Sequence, residues 1–483
     1  MASKQVDANR VVVCGGGLSG LTAAISALEA GVPVTLLEKG AELGGNAILS
    51  GGMIWTYADY DRMRADIPNG DAMIQWMIHE NIDAARTWLA TQGVDLGPDQ
   101  RCHEDFGLGR QMQPPQAIEA LGKRFVELGG DLRLESSLDS LITDNGVVRG
   151  VRIARDDRVS DEAARAVVLA TGGFQGNSEL LTRYVLKNPG NLYLRSNPWS
   201  TGDAFLAATQ IGAAASPGMH NIYGHALAAP PARFTKWEFR DVSQHYGQKA
   251  VAINLRGERF CDESLGGSED TLNQSLIHQP EGRGFYIIDH ALYDAPDMHA
   301  SKVVTRVIVD RAKKAGAPVV VADTIEELSK KLAAFGIPAP RVLRELTEFN
   351  HLLQSGRGDD LLPPRKLHRL PLIHPPFYAV AVKASITFTM GGLQIDNLGR
   401  VVRRTASSSV LAPVPAERAL DDSDTPVKRI GVEYRQTVIE GLYAAGCDVG
   451  NISHHEYAGG LAPALATGRV AGRNAGAFVK KSR

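Results

Sequence analysis

The chain is 483 residues long, 44% hydrophobic, with a formal net charge of −2, which gives it apolar material for two or three domains and a large core. That near-balanced charge argues against nucleic acid or another polyanion as a partner. With no signal-peptide pattern and no apolar run long enough to span a bilayer, the expectation is a soluble, cytoplasmic protein without membrane insertion.

Taken in chain order, Val11-Val-Val-Cys14 predicts a buried strand. Cys14, Cys102, Cys261 and Cys447 are scattered without CxxC spacing, so neither a disulfide framework nor a metal site is expected. Gly15, Gly17 and Gly20 then supply GxGxxG spacing, and Leu21 to Glu29 predicts a helix. Gly15 permits the tight turn, Gly17 lets backbone approach a pyrophosphate, and Gly20 lets helix and strand pack closely. The helix N-terminus adds unpaired N–H groups and the positive end of a dipole. Val34-Thr-Leu-Leu37 predicts a second strand, and Glu38 at its end is placed to accept hydrogen bonds from ribose hydroxyls. Strand, glycines, helix, strand and acid in this order predict dinucleotide binding.

A second loop of small residues follows, Ala41 to Trp55, then helices over 70–98 and 114–129. Asp131–Ile142 and Gly146–Ala154 predict a strand pair, Ala166–Phe174 a strand entering a glycine turn, and Thr201-Gly-Asp-Ala204 the start of a helix reaching about Gly212. From about His225 to Pro375 short strands (Lys249–Asn254, Gly284–Asp289) alternate with charged helices (Thr324–Ala334, Pro340–Ser355), the pattern of an inserted α+β unit. The earlier pattern returns with Phe377–Lys383, Gly391–Asp396 and Gly441–Gly446, and a final helix is predicted over 461–477. Residues 405–430 read as an irregular surface excursion. The fold class is therefore α/β: a Rossmann-like domain of parallel sheet and helices built from residues 1–224 and 376–483, with a cap domain of 225–375.

These segments resemble the flavoprotein family of fumarate reductases, succinate dehydrogenase flavoprotein subunits and 3-ketosteroid dehydrogenases. The likeness rests on Gly15–Gly20 with Glu38, Gly44-Gly45-Asn46, Ala170–Phe174, Thr201–Asp203, Gly257-Glu-Arg-Phe260, Thr389–Gly392 and Tyr443–Gly446. It implies FAD between the flavin domain and a mobile cap, and redox chemistry at a carbon–carbon bond next to an electron-withdrawing group. The residues it assigns to FAD are Gly15, Gly17, Leu18, Ser19, Gly20, Glu38, Lys39, Gly45, Asn46, Ser50, Gly51, Gly52, Thr171, Gly172, Asp203, Gly446, Asp448, Gly460, Leu461 and Ala462. Members that attach FAD covalently use a histidine in the segment matching Gly44–Gly52; none is present there, so non-covalent FAD is expected.

The departures bear on substrate. Gly267 stands where fumarate reductases carry their proton-donating arginine, Phe388 where they carry a histidine, and Tyr457 where an arginine clamps the substrate carboxylate. Without those bidentate donors, fumarate or succinate is not expected. Tyr457-Ala-Gly-Gly460 resembles the ketone-polarising tyrosine segment of 3-ketosteroid dehydrogenases. The expected substrate is accordingly a small-molecule ketone such as a steroid. Tyr457 would hydrogen-bond its carbonyl, helped by a backbone N–H near Gly460. Tyr246 would take the α-proton, aided by His245 or His455, given a cation or relay to depress the tyrosine pKa. His225 matches a fumarate-binding position of the family. His455 is chosen over His454 because it shares strand parity with Tyr457. Glu263 is read as a residue that only pins the cap loop. The alternative is a carboxylate-directed dehydrogenase or enoate reductase in which His225 and His455 bind the acid, since His455-Glu-Tyr-Ala-Gly-Gly460 also resembles the tricarballylate-type pattern. A third reading is a non-catalytic flavoprotein. The electron acceptor and oligomeric state are left open.

Overall fold

The computed structural model describes residues 8–103, 105–266, 268–296, 303–404 and 437–481. The excursion expected over 405–430 lies outside these residues. β1 (Val11–Cys14), α1 (Leu18–Glu29) and β2 (Val34–Leu37) follow one another as anticipated. β1 pairs in parallel with β2, which continues to β3 (Asp131–Arg133); on its other side β1 pairs in parallel with β4 (Ala166–Leu169). Val438–Ala444 extends the sheet beyond β4, and Arg400–Val402 closes that edge antiparallel. Every residue of β1, β2 and β4 is buried, as parallel strands covered on both faces must be.

The run expected as one strand from Asp131 to Ile142 divides in two. Glu135, at φ 52°, turns the chain, so that β3 joins the parallel sheet while Ser137–Asp144 pairs with Val147–Arg155 in a separate antiparallel sheet. The C-terminal helix Leu461–Lys481 packs along α1. It does so through Gly468, Gly472 and Gly476, one turn apart. A Cβ at Gly468 would lie 2.6 Å from the Ser19 carbonyl oxygen, at Gly472 2.2 Å from that of Ala23, and at Gly476 2.8 Å from Ala30 Cβ. On another side of α1, a Cβ at Gly20 would lie 1.8 Å from the Gly15 oxygen, so α1 also sits as close to the turn after β1 as backbone allows.

The cap is an antiparallel sheet in the order Leu227–Ala228, Phe377–Lys383, Arg283–Ile288, Val251–Asn254, with Val319–Ala322 also pairing to Phe377–Lys383. Helices Ile325–Leu332 and Ala339–Gln354 bury Leu328, Leu332, Val342, Leu346 and Phe349 against it. The expected cap limit at residue 375 therefore needs correcting, because the strand just beyond Pro375-Pro376 is central to the cap sheet. The chain enters and leaves the cap through two short strands, Ile222–Tyr223 and Phe388–Thr389, which pair with each other antiparallel. No helix among the described residues is long and apolar enough to cross a membrane.

Two buried carboxylates hold loops in place. Glu263, fully enclosed, accepts from Arg259 Nε at 2.8 Å and Nη2 at 2.6 Å, from Arg365 Nη1 at 3.0 Å and from the Ala252 N–H at 3.1 Å. Burial alone would raise its pKa, yet the hydrogen bonds and charge of Arg259, with the charge of Arg365, hold it below the ordinary carboxylate value. Arg365 in turn donates to the carbonyls of Gln248 and Ala250, so Glu263 pins the cap loop as read from the sequence. Asp448 fastens the turn after β4: its carboxylate accepts from the Thr171 N–H at 2.5 Å and the Gly173 N–H at 3.0 Å, and from the Thr171 hydroxyl.

Removing either acceptor leaves buried donors unpaired. Glu263→Ala is expected to destabilise the protein by about 3–5 kcal/mol in denaturant titration, because two buried guanidinium groups lose their partner. Asp448→Ala is expected to cost about 2–5 kcal/mol for its orphaned N–H groups and, by loosening the Thr171 turn, to lower the flavin content of the purified protein.

Candidate active site

A cavity of about 590 Å³ opens between the N-terminal ends of α1 and the C-terminal helix and runs up to the underside of the cap. Its floor is the turn after β1. Gly15 has φ 111°, and a Cβ there would lie 2.1 Å from the Ala170 oxygen. Gly17 is different: a Cβ would meet only the Gly44 oxygen at 3.8 Å and Gly45 Cα at 4.0 Å, so a side chain would project into space that the cavity keeps open. This is the arrangement a pyrophosphate needs, backbone N–H groups at a helix N-terminus with nothing standing in front of them. Glu38 accepts from the N–H groups of Gly16 at 2.7 Å and Gly40 at 2.6 Å, which orients its carboxylate at the cavity wall. Lys39 is held by Thr201 at 2.7 Å and by Asp203 at 3.0 Å. The residues present thus fit the dinucleotide end of FAD.

Of the residues expected to hold the cofactor, Gly15, Gly17, Leu18, Ser19, Glu38, Lys39, Gly45, Asn46, Ser50, Gly51, Gly52, Thr171, Gly172, Asp203, Gly446, Gly460 and Leu461 line this cavity. Three do not. Gly20 is spent on packing α1 against the β1 turn, Ala462 is buried in the helix interface, and Asp448 turns away to bind the Thr171–Gly173 backbone. Asn46 has a wider reach than a cofactor loop requires. Its Oδ1 accepts from Ser196 Oγ, the Asn197 N–H and Asn197 Nδ2, each at 2.8 Å, and its Nδ2 donates to the Thr387 carbonyl at 2.8 Å.

The cap end of the cavity is walled by aromatic rings. Tyr457 stacks face to face on Tyr223, centroids 3.9 Å apart and planes 20° off parallel, and meets Trp55 edge-on at 5.3 Å. Phe388 packs on Tyr223 at 4.9 Å, and His103 stacks on Trp55 at 3.9 Å. Burial pushes His103 down to about 4, so it is a neutral ring at physiological pH. Gly460 comes close to the Tyr457 hydroxyl: a Cβ there would be 3.2 Å from it. The tyrosine that the sequence assigns to a carbonyl and the backbone assigned to help it are therefore neighbours.

A chain of hydrogen bonds leads inward from this wall. The Tyr457 hydroxyl is bonded to that of Tyr223. The Tyr223 hydroxyl lies 2.9 Å from His225 Nε2, and His225 Nδ1 lies 2.8 Å from Glu269 Oε2. Glu269 is fully buried; its other oxygen accepts from the Tyr286 hydroxyl at 2.5 Å and the Ala226 N–H at 3.1 Å. Burial pushes the Glu269 carboxyl well above its ordinary value, and these two donors oppose that rise. Burial likewise raises both Tyr457 and Tyr223, while the charge of Arg195 pulls Tyr223 down.

Two expected catalytic residues are absent from the cavity lining. Tyr246 falls in a 3₁₀ turn, His245–Lys249. The turn sends His245 to the cavity and Tyr246 the other way, where its hydroxyl donates to Gln244 Oε1 at 2.9 Å. His455 was placed by strand parity, but the chain is not extended there: His454 takes φ 49° and breaks the alternation. His455 is instead partly exposed, with Nδ1 3.2 Å from that of His454. Gly267 lies outside the described residues. Tyr457 and His225 do line the cavity.

Sequence reasoning overlooked Tyr223, Arg195 and Arg240, which line the cavity, as does His245, expected as a helper of Tyr246. Tyr223 carried a usable signal, since Tyr223-Gly-His225 puts tyrosine and histidine on one side of an extended segment. Arg195 and Arg240 sit in no recognisable spacing. Arg195 Nη1 donates to Thr387 Oγ1 at 2.9 Å, and its buried Nε has no partner among the described residues.

Comparison with known proteins agrees with this geometry. Residues 10–460 match the family described as FAD binding domain. A cytochrome-type fumarate reductase of Shewanella frigidimarina is 26% identical over 513 residues, covering 100% of this chain and 79% of that protein. A urocanate reductase of Eggerthella lenta is 27% identical over 499 residues, covering 97% of this chain and 74% of the relative. In fold, the chain is similar to the solved 3-ketosteroid-Δ4-(5α)-dehydrogenase from Rhodococcus jostii RHA1, with a TM-score of 0.70, 22% identity and coverage of 99% and 98% of the two chains. The chain belongs to the FAD binding domain family and is an FAD-dependent oxidoreductase of the group that reduces or desaturates carbon–carbon bonds.

Proposed function

We propose that the protein desaturates, or in reverse reduces, the carbon–carbon bond α,β to the carbonyl of a cyclic ketone. The observation that carries this reading is the position of the Tyr457 hydroxyl, beside Gly460 and inside an aromatic wall that joins directly onto the FAD cradle. FAD, held by the glycine turn, Glu38 and the Ser50–Gly52 segment, supplies a two-electron acceptor for the β-hydrogen. The chain's own part is to place the ring and handle the charge. Tyr223, Phe388 and Trp55 offer flat apolar surfaces to a cyclic skeleton and keep water from it. Tyr457 and the Gly460 backbone offer hydrogen bonds to the carbonyl oxygen, where negative charge gathers as the α-proton leaves. The aromatic wall supports a ketone over a dicarboxylate.

One observation favours a second reading. Arg195 and Arg240 both face the cavity, and neither has a carboxylate within ion-pair distance among the described residues. They occupy positions other than those of the two missing family arginines, so an acid-bearing substrate of the fumarate or urocanate reductase type retains a physical basis.

Anaerobic titration separates the two. Bleaching of the oxidised flavin by a 3-ketosteroid or by cyclohexanone, and not by succinate or tricarballylate, is the expected result; bleaching by carboxylates alone would favour the second reading, and no bleaching by any of them would leave only a redox or ligand-binding module. Tyr457→Phe is expected to keep FAD and lose turnover by more than about tenfold, the low end for a positioned acid. Turnover near the wild-type rate in that variant removes Tyr457 from the mechanism.

A further inference from the structure

With Tyr246 and His455 turned away from the cavity, the carbonyl reading lacks a group to exchange the α-proton. We propose that Tyr223 is that group, with His225 as its proton relay and Glu269 as the residue that sets the His225 tautomer. The assignment rests on the ketone reading above and goes beyond it by completing the proton path.

Three observations carry it. Tyr223 lines the cavity and stacks on Tyr457, so a ring whose carbonyl meets Tyr457 presents its α-carbon to the adjoining hydroxyl. Tyr223 ends the short strand by which the chain enters the cap and His225 follows two residues on, with oxygen and Nε2 2.9 Å apart. Glu269 fixes the direction of the relay. Its Oε1 already accepts from Tyr286 and Ala226, which leaves Oε2 of the ionised carboxylate, the form those two donors favour, as the acceptor of a proton on His225 Nδ1. Nε2 is then bare and able to receive the Tyr223 proton, the same logic by which a buried acid orients a catalytic histidine.

In the desaturating direction the α C–H bond breaks and its proton bonds to Tyr223 Oη, while the tyrosine's own proton passes to His225 Nε2. The β-hydrogen leaves with its electron pair to bound FAD, and the C=C bond forms. The imidazolium left behind faces the Glu269 carboxylate. Moving both protons together avoids a standing tyrosinate, which the desolvated site disfavours, and Arg195 offsets the negative charge that builds on Tyr223 during the transfer. Tyr223 is the catalytic residue here; His225 and Glu269 act through it as positioning residues.

The test uses the holoenzyme and whichever cyclic ketone bleaches the wild-type flavin. Tyr223→Phe removes one oxygen and keeps the ring stack; the expected result is a fall of about 100-fold in the bleaching rate with ketone affinity held within about threefold. A rate within threefold of wild type overturns the assignment. Glu269→Gln adds a readout independent of turnover. Oε1 of the glutamine would keep its two donors, turning the amide nitrogen toward His225, so the imidazole must carry its proton on Nε2. In [15N]histidine-labelled protein, with His225 assigned through His225→Gln, the wild type is expected to show the Nδ1–H tautomer and Glu269→Gln the Nε2–H tautomer, with bleaching slowed at least about tenfold. An Nε2–H tautomer in the wild type overturns the relay. If no ketone bleaches the wild-type flavin, the ketone reading itself fails, and the tautomer result still decides the order of the hydrogen bonds.

Discussion

The close approach of the C-terminal helix to α1 is the constraint on which the site depends. Three glycines a turn apart bring one helix backbone against the other, at separations where a single methyl group would collide with two carbonyl oxygens and the Ala30 methyl. Interhelical contact this tight leaves little room for sliding or rotation. Because both helices are held this way, their N-terminal ends, at Leu18 and Leu461, open on the same cavity. One end offers its backbone donors to the pyrophosphate. The other brings Gly460 and, three residues before it, Tyr457. The glycine turn and Tyr457 are thus referred to one rigid unit rather than to two independently placed loops.

The cap is fixed by different means. Its sheet and two covering helices form a core of their own, and its loops are tied by the Glu263 cluster, where the acceptor geometry of one carboxylate satisfies two guanidinium groups. Such a cluster contributes definition more than net stability, since the cost of burying three charges offsets much of their attraction. Asn46 joins the two halves: a residue of the cofactor loop, it binds the segment that carries Arg195 and the carbonyl just before Phe388.

How much of this could be read from the chain depended on whether a feature is local. The glycine turn, the parallel strands and Glu38 were legible because backbone conformation and burial on both faces dictate them residue by residue. Tyr457 was legible through its neighbours, Gly459 and Gly460. His455 was misjudged because it was oriented by assuming an extended backbone, which the positive φ at His454 breaks; Tyr246 was misjudged because a 3₁₀ turn, not legible from its neighbours, points it away from the cavity. Arg195 was invisible because nothing near it in sequence explains it; its place is set by Thr387, nearly two hundred residues away. Glu269 gave no signal either, since an acid opening a polar helix reads as solvated, and only the fold brings His225, Ala226 and Tyr286 onto it.

The paired strands Ile222–Tyr223 and Phe388–Thr389 are the threshold of the cap, and they carry two of the rings that wall the substrate end. Tyr457, by contrast, belongs to the helix unit beneath. Any swing of the cap about that threshold would part the Tyr223–Tyr457 stack and, with it, the alignment of carbonyl and α-carbon in the proposed ketone reaction. An open molecule can admit a substrate but has nothing in register to act on it. Access and reactivity become alternatives along a single coordinate, which guards the cofactor's electrons from being spent on whatever small molecule happens to enter.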